Sequence, residues 1–537
     1  MKKSLSILLA VLMLLSTLSP FCALADSIQK TSGSCGDNAT FELKNGVLTI
    51  TGTGETTSHP WLEIGETTNI NKVIIGEGIT AVDEHSFAKC VKLKEAVLPQ
   101  SLTGIKQYTF FKCKSLEKAD LPDNLKYVGM SAFQGCESLK KIDLPESVER
   151  IYSSAFNGCH CAKGKLYLRK NLFIELYAFN YCKSLEEIYF EDGFSMDNFT
   201  STRPLKVFNY CEGVKKIHIP GSMKQMNSSL FSNCTSLTDV TISEGVETVS
   251  GFANCTALEK IVLPKSVKTV YNSAFYGCES LKTVKIQSKL SSIDEYTFYN
   301  CPNLKTLKIP YGVDSVGKRA IGYYETVDEA GENSEGSTKE IKSEHKVKNF
   351  KVYGKKCKAL TDYCKDNDLK FIDMYDVGNA TASPKSQTYT GKSIKASVTV
   401  KLAGITLKRD TDYTLKYANT VNVGTATVTI TGIGKYKGTL VKTYKINPKP
   451  TEIKKVTAGK KSFKAYWKKR DVKTYQLQYS TYKSFKNGKK LTVKGTAKTV
   501  KNLKANKKYY VRVRTFKTIK GVKYYSKWSE AKTVKTK

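Results

Sequence analysis

The sequence is poor in the residues and motifs that carry most enzyme and metal chemistry. Histidine occurs only 5 times in 537 residues, no two histidines lie four residues apart, and neither Cys-x-x-Cys nor Gly-x-Ser-x-Gly is present. Zinc sites and hydrolase nucleophiles depend on such patterns. We therefore expect no catalytic residue, no metal and no cofactor, and a function that depends on binding.

Long apolar segments are scarce as well. The one long apolar run, Leu5–Leu15, follows two lysines and precedes the small-x-small pattern Ala23-Leu24-Ala25. That order is typical of a secretory signal peptide, so residues 1–25 are predicted to be removed and the mature chain to begin near Asp26. No later stretch has the ~20 apolar residues that a membrane span needs. The sequence therefore predicts an exported protein without a transmembrane segment.

Acidic residues are rare in the C-terminal part of the chain. Residues 381–537 contain 40 Lys and Arg against 5 Asp and Glu, whereas residues 1–380 contain 46 and 44. Such a density of positive charge costs self-repulsion, which predicts an anionic polymer as partner, either wall teichoic acid or a sulfated glycan. Solubility alone is the alternative. No reader fold for nucleic acid is recognisable, so no specific nucleic acid partner is expected. Without a Leu-Pro-x-Thr-Gly sorting signal, retention at the cell wall would be noncovalent.

The most prominent feature of the sequence is a repeat that occupies the middle of the chain. Most successive units are 23 residues long, with one step of 29 and one of 21. Each unit has Phe three residues before a cysteine and apolar residues about three, six and eight after it. The cysteines are Cys90, Cys113, Cys136, Cys159, Cys182, Cys211, Cys234, Cys255, Cys278 and Cys301. A fixed period of this kind predicts a solenoid, in which stacked coils bury the apolar residues that one coil cannot bury alone.

The clearest unit, Ala132-Phe133-Gln134-Gly135-Cys136 followed by Leu139, Ile142 and Leu144-Pro145, resembles the leucine-rich repeats of the BspA type. The resemblance covers roughly residues 39–374, and residues 41–61 are similar to the N-terminal cap of that family. It implies an extracellular binding surface, which in several members is an adhesin, and it does not imply an enzyme.

The repeat also predicts which side chains are buried. The expected repeat core includes Phe110, Cys113, Phe133, Cys136, Leu139, Ile142, Leu144, Phe275 and Cys278. Equivalent cysteines in stacked coils should lie ~4.8 Å apart with parallel side chains, farther than the ~3.8 Å between Cβ atoms that a disulfide prefers. We expect buried thiols that bond weakly to backbone. Cys357 and Cys364 are the pair nearest to a possible bridge, and their state stays open.

One exposed position recurs in the middle of each predicted strand and forms a column along the solenoid. The candidate binding face consists of Asp120, Asp143, Tyr167, Tyr189, His218, Thr241, Lys285 and Lys308. This mixed stripe could bind an extracellular protein or glycan, or could be an ordinary solvated sheet. Asp120 and Asp143 have the spacing of a glycosidase pair, but an open face without a pocket argues against catalysis.

The repeat is interrupted in two places: by the 29-residue step, and in the unit from Cys159 to Cys182, whose apolar pair Leu166 and Leu168 comes one place late. The 29-residue step adds residues around 191–204, which could form a loop beside a binding face or a tolerated bulge. Residues 325–348 follow the last repeat and are polar and acidic, which predicts a mobile loop or an excursion from the solenoid. The strand–helix–strand pattern that follows, at residues 349–376, is expected to cap the last coil.

Two further modules follow the solenoid. A Ser/Thr/Ala/Pro-containing linker is predicted at residues 377–385. Residues 386–448 alternate apolar and polar residues, as strands do, and resemble an Ig-like β module of clostridial-type secreted proteins. Residues 450–537 resemble a fibronectin type III domain. Its expected core residues are Trp467, Tyr475, Leu503, Tyr509 and Trp528.

These observations predict a mainly β protein: a cap at residues 26–70, a leucine-rich-repeat solenoid of about ten to eleven coils at residues 71–324, and two β-sandwich modules. The predicted function is that of a secreted or cell-surface binding protein, adhesin-like, whose basic modules attach it to an anionic surface. The alternatives are a structural scaffold of the cell envelope without a host ligand and an accessory carbohydrate-binding protein.

Overall fold

The computed structural model describes residues 31–62, 69–199, 205–332 and 338–537. The predicted signal peptide and the start of the mature chain lie outside these ranges. The chain forms two compact units, Met1–Phe371 and Ile372–Lys537. Strands predominate in both, as predicted, and the first unit is a β-solenoid of about 13 turns because entry and closing strands add to the cysteine-bearing coils. No helix in the described ranges is long and apolar enough to cross a membrane.

Most coils of the solenoid contribute one longer strand, which pairs in parallel with the strands of its neighbours after an antiparallel entry. Apart from Asp120 and Asp143, the residues of the predicted exposed column lie on these strands. In three successive sheets they are Ser32–Ser34, Ala39–Lys44, Val47–Gly52, Lys72–Ile75, Glu95–Val97 and Lys118–Ala119; Gly164–Leu168, Leu185–Phe190, Lys216–Ile219 and Asp239–Ile242; and Lys260–Leu263, Thr283–Ile286, Thr306–Ile309, Lys351–Gly354 and Lys370–Asp373.

A second, shorter strand in most coils builds two further parallel sheets. These strands are Gly54–Glu55, Ile79–Val82, Gly104–Ile105, Tyr127–Val128, Arg150–Ile151 and Phe173–Ile174 in one sheet, and Thr248–Val249, Thr269–Val270, Leu290–Ile293 and Val313–Val316 in the other. Short 3₁₀ segments occur at Pro60–Leu62 and Met196–Asn198.

The chain reverses at the same place in every coil, immediately before the cysteine. There the backbone adopts a left-handed conformation whatever the side chain, with φ between 55° and 78°. The residues are Lys89, Lys112, Gly135, Gly158, Tyr181, Tyr210, Asn233, Asn254, Gly277 and Asn300. Glycine and asparagine adopt this conformation at least cost, which explains their recurrence.

The core of the solenoid is a continuous column of phenylalanine rings. From Phe87 to Phe298, each ring stacks on the ring of the next coil at centroid distances of 5.1 to 5.7 Å. The expected core residues Leu139, Ile142 and Leu144 are buried beside it. This column confirms the prediction that identical coils bury one another's apolar side chains.

A second column is formed by the repeat cysteines. Nine thiols donate hydrogen bonds to the carbonyl oxygen of the phenylalanine in the preceding unit, as in Cys113 to Phe87 at 2.9 Å and Cys301 to Phe275 at 3.2 Å. All described cysteines are free thiols. Cys357 and Cys364 are likewise unbridged; the Cys357 thiol donates to the carbonyl of Val313.

The acidic segment expected as a mobile loop is instead a two-stranded antiparallel hairpin, Tyr323–Glu332 with Thr338–Lys346. Its base is held because the buried Tyr299 hydroxyl lies 2.9 Å from Glu325 and 3.0 Å from Glu344. The closing unit then adds the helix Lys358–Asp366, which buries Leu360, Tyr363 and Cys364 against the last coil.

The longest repeat contains inserted residues, and those that the structure describes, residues 191–199, fold toward the core. Phe194 and Phe199 are buried, and the Phe194 ring lies 4.9 Å from that of Phe190. Ser195 caps the short 3₁₀ segment through its side chain. Residues 191–199 therefore extend the core; the rest of the predicted loop, residues 200–204, lies outside the described residues.

The first β module of the second unit begins earlier than predicted. Residues 377–385 do not form a linker, because Val377, Ala380 and Ala382 are buried in the core of the module. Its two sheets consist of Thr381–Ala382, Val400–Leu402 and Ile405–Thr406, and of Gln387–Thr388, Thr439–Asn447, Gly424–Gly432 and Tyr413–Ala418. A 3₁₀ segment, Val377–Asn379, precedes them.

The second β module, residues 450–537, also has two sheets. They consist of Ile453–Gly459, Ser462–Trp467 and Ala497–Val500, and of Lys489–Lys494, Thr474–Ser480, Lys508–Ile519, Val522–Tyr525 and Lys532–Lys535. Trp467, Tyr475 and Tyr509 lie in the core, with Leu503 packed against it. The Tyr509 hydroxyl accepts a hydrogen bond from the Lys504 backbone N–H at 3.2 Å, which closes the predicted tyrosine corner.

Candidate binding surfaces

The structure brings the central members of the predicted binding face together in one parallel sheet. Tyr167 lies opposite Tyr189, Tyr189 opposite His218, and His218 opposite Thr241. Alternation along each strand turns these side chains away from the core, whose members Leu166, Ile188 and Ile217 stand next to them in sequence. The repeat thus positions four side chains at successive strand spacings.

Three of these side chains form a ladder of stacked rings. The centroids of Tyr167 and Tyr189 are 5.3 Å apart with planes inclined by 11°, and those of Tyr189 and His218 are 4.7 Å apart with planes inclined by 13°. Tyr167 is 40% exposed, and the other two are half-buried. Face-to-face stacking directs the ring edges and polar atoms, rather than the ring faces, toward solvent.

Cationic groups border the Tyr167–Tyr189–His218 ladder. The Lys165 ammonium lies 4.3 Å from the Tyr189 centroid and also pairs with Glu187 at 3.2 Å. The Arg169 guanidinium lies 5.8 Å from the Tyr167 centroid and donates to the carbonyl of Leu144 at 3.0 Å. Tyrosine and arginine are the side chains that most often dominate binding energy in protein interfaces.

At the acidic end of the face, the sheet is interrupted between Lys118–Ala119 and Gly164–Leu168. Asp120 and Asp143 lie outside the strands, contrary to the mid-strand position expected for them, and border a shallow depression of about 660 Å³. Like charges at neighbouring positions disfavour strand pairing there. Each carboxylate is paired with a lysine of its own coil: Asp120 with Lys118 at 3.1 Å and Asp143 with Lys141 at 2.6 Å.

These pairs determine the electrostatics of the depression. The hydrogen bond to Asp120 raises the pKa of Lys118, and that to Asp143 raises the pKa of Lys141. Both carboxylates are exposed and engaged with cations, which suits neither a buried proton donor nor an attacking carboxylate. The arrangement is therefore a set of exposed ion pairs and does not have the geometry of a catalytic pair.

The basic end of the face lies in the third sheet. Lys285 is directly opposite Val262 on one side and Lys308 on the other, and Lys308 is opposite Tyr353. Both lysines are exposed. The eight candidate residues therefore divide into three patches: an acidic depression, the aromatic ladder with Thr241, and a basic pair.

A second ladder, which the sequence analysis missed, lies on the second β module. The Arg512 guanidinium is 4.0 Å from the Phe485 ring centroid and 4.5 Å from that of Trp528; the Arg514 guanidinium is 4.3 Å from the Trp528 centroid and 3.7 Å from that of Tyr525. Trp528 was predicted to be a core residue, and this prediction is wrong. It is half-buried on the opposite face of the sheet, held between two arginines.

One signal for this ladder is present in the sequence. In Val511-Arg512-Val513-Arg514 the two valines alternate with two arginines, so that a strand with buried valines must present both arginines on its other face. The alternation does not reveal the aromatic partners, because Phe485, Tyr525 and Trp528 come from distant segments.

The fold and these surfaces define a class: a leucine-rich-repeat solenoid that carries open sheet faces and is followed by two β-sandwich modules. Comparison with protein families identifies the repeat. Residues 65–186, 165–253 and 201–328 match the BspA type Leucine rich repeat region, in 6 copies. The solenoid therefore consists of BspA-type leucine-rich repeats.

Several solved structures resemble the chain. A leucine-rich repeat protein from Eubacterium ventriosum is 20% identical, with 54% of this chain and 93% of that chain covered and a TM-score of 0.34. One from Bacteroides ovatus is 22% identical, with coverages of 52% and 78% and a TM-score of 0.38. A leucine rich cell surface protein from Faecalibacterium prausnitzii is 19% identical, with coverages of 52% and 93% and a TM-score of 0.28. A comparison with curated protein sequences gave no match.

Proposed function

We propose that the protein is an exported, adhesin-like binding protein whose solenoid recognises an extracellular protein, with the Tyr167–Tyr189–His218 ladder at the centre of the contact. The observation that supports this most is the stack itself. Three rings at 4.7 to 5.3 Å are already ordered, so that little side-chain entropy is lost when a partner covers them.

The ladder favours a protein over a glycan as partner. Aromatic platforms that bind sugars offer ring faces, whereas here each internal face is covered by the neighbouring ring. Ring edges carry partial positive charge, and the phenol hydroxyls and His218 add polar atoms. Carbonyl and carboxylate groups of a polypeptide are suitable acceptors for such a surface. The depression with its ion pairs and the pair Lys285 and Lys308 would then set orientation and association rate.

The experiment compares two double variants of the full chain for binding to a panel of immobilised extracellular matrix proteins. Y167S/Y189S removes the ladder, and Y271S/Y311S removes two tyrosines that are 50% and 51% exposed elsewhere on the solenoid. We expect the first to lose at least tenfold in affinity for any protein that the wild type binds, and the second to change less than twofold. Equal losses would contradict the ladder as the centre of the contact.

The basic β modules are proposed to attach the protein noncovalently to an anionic polymer of the wall. Their 40 basic against 5 acidic residues support this, and the predicted result is binding of the full chain to purified walls that weakens steeply with salt. If the chain binds walls and no protein in the panel, the alternative of a scaffold in the cell envelope is favoured.

A further inference from the structure

The two arginines of the second ladder lie on an outer sheet face that is otherwise cationic. Arg512 is directly opposite Gln478, which is opposite Lys490; Arg514 is opposite Gln476. Residues two apart on a strand share a face, so Lys494 is on the same side as Lys490. Both lysines are exposed. The face therefore presents two fixed guanidinium groups bordered by flexible ammonium groups.

Among the residues that the structure describes, no carboxylate forms an ion pair with either guanidinium group. The module has three acidic residues, Glu452, Asp471 and Glu530. Glu452 pairs with Lys468 at 3.4 Å, and within residues 338–537 neither arginine forms an ion pair. Desolvation lowers the pKa of both arginines. Neither arginine has a carboxylate partner among the described residues, so a ligand anion could pair with each guanidinium group.

The hydrogen-bonding capacity of the arginines points the same way. Nε and Nη2 of Arg512 donate to Gln478 Oε1 at 2.9 and 2.7 Å, and the same atoms of Arg514 donate to Gln476 Oε1 at 2.9 and 2.6 Å. A guanidinium has five N–H groups, so each arginine keeps its Nη1 edge for an external acceptor. The glutamines fix the orientation, and the rings cover both flat faces. Only the edge remains for a ligand.

The spacing of the two edges suits a repeating anion. Arg512 and Arg514 are two residues apart on one strand, about 6.8 Å along its axis, which is comparable with the separation of successive phosphates in an extended phosphodiester chain. A rigid pair of guanidinium groups can bind two such phosphates with little loss of side-chain entropy.

We propose that the outer face around Arg512 and Arg514 is a binding site for a phosphate-bearing polymer, in which each guanidinium edge holds one phosphate and Lys490 and Lys494 hold its neighbours. The proposal rests on the proposed attachment to an anionic wall polymer and names the site, the ligand chemistry and the residues. It distinguishes a preorganised site from a diffuse positive charge.

The test measures binding of the full chain to purified wall teichoic acid, a polyphosphodiester, and to a heparin oligosaccharide of similar charge. The variant R512Q/R514Q is compared with K455Q/K498Q, which removes the same charge from exposed positions on the other sheet of the module. We expect the arginine variant to bind teichoic acid about tenfold more weakly and the lysine variant to change less than twofold. Wild type should prefer teichoic acid to heparin.

Two further measurements keep the proposal testable if R512Q/R514Q is unstable. R512K/R514K keeps the charge but loses the planar fork, and should still lose affinity at least threefold. In the wild type, saturating teichoic acid should protect Arg512 and Arg514 from phenylglyoxal, as read by peptide mass mapping. Equal losses in both charge variants, absence of protection, or a preference for heparin would each overturn the site, whereas no binding of any polymer by wild type would overturn the attachment function itself.

Discussion

The indole of Trp61 stacks on the ring of Phe87, with centroids 5.9 Å apart and planes inclined by 14°, and so forms the first layer of the phenylalanine column. Its Nε1 donates to the backbone carbonyl of Ser86 at 2.6 Å. The cap thereby covers the open face of the first repeat with an aromatic ring of the same orientation. Coils at the end of a solenoid lack one neighbour, and a cap replaces it.

Replacing Trp61 with alanine should therefore destabilise the solenoid. The side chain is 1% exposed, and its removal leaves a cavity and an unpaired carbonyl, so we expect a loss of about 3 to 5 kcal/mol in the free energy of unfolding. Urea denaturation followed by circular dichroism measures it. Phe173, which is 39% exposed, is the control: its replacement by alanine should cost much less, and equal costs would contradict the capping role.

Thiol labelling should distinguish one exposed cysteine, Cys161, from the buried cysteines of the repeat. Cys161 is exposed, whereas every repeat cysteine from Cys90 to Cys301 is buried. Because burial raises the pKa of thiols such as Cys136 and Cys255 well above the usual range, they carry little reactive thiolate. In native protein at pH 8, we expect Cys161 to react with iodoacetamide at least a hundredfold faster than the buried repeat cysteines, as read by peptide mass mapping. Rapid labelling of Cys136 would disprove the packing.

The same thiols should make the solenoid less stable at high pH. An unfolded thiol ionises above about pH 8.5, whereas burial raises the pKa of Cys278 to about 12. Above the unfolded pKa the unfolded state therefore binds fewer protons than the folded state, and the free energy of unfolding falls as pH rises. This contribution is complete below about pH 8.5 and is lost on approaching pH 12. Urea midpoints measured between pH 7.5 and 9.5 should decrease, and a constant midpoint would show that the thiols are not buried.

A side chain at Gly104 should lower the free energy of unfolding, although the backbone φ of this residue is ordinary. A Cβ atom at this position would overlap the ring of Tyr127 on the next coil. We expect Gly104→Ala to cost about 1 to 3 kcal/mol, as overpacking does. The double variant G104A/Y127A should recover most of this loss relative to Y127A, since the overlapping ring is then absent. The free energies of unfolding of the wild type, the two single variants and the double variant form a double-mutant cycle. Additive effects in this cycle would mean that the two residues do not share that space.

The regular parts of the solenoid could be predicted because each coil has the same residue types at the same positions. Phe133 and Cys136 in one unit predict the positions of Phe275 and Cys278 in another, and the structure buries all four. The strand interruption at Asp143 could not be predicted in this way. It reflects like charges at Asp120 and Asp143 on neighbouring coils, which are particular to these units and not part of the repeat.

The surfaces were harder to predict than the core. The column position of Tyr167, Tyr189 and His218 follows from the period, but their ring orientation depends on rotamers and on neighbours such as Lys165. Trp528 was misplaced because a tryptophan in a β module is normally assigned to the core. Here two outward-facing arginines cover both faces of the ring, so that it is half-buried without belonging to the core.

The phenylalanine column has no preferred length. Within the column each phenylalanine stacks on the ring before it and the ring after it, and nine thiols bond to the preceding unit, so a whole unit can be gained or lost while distant units keep their contacts. Unequal recombination within the coding sequence would produce such changes in one step. Each duplicated copy would lengthen the exposed sheet face by about one strand spacing, ~4.8 Å, and would add one new side chain to the exposed column. Copy number is therefore a means by which the length and the surface of this solenoid can diverge while its interior stays the same.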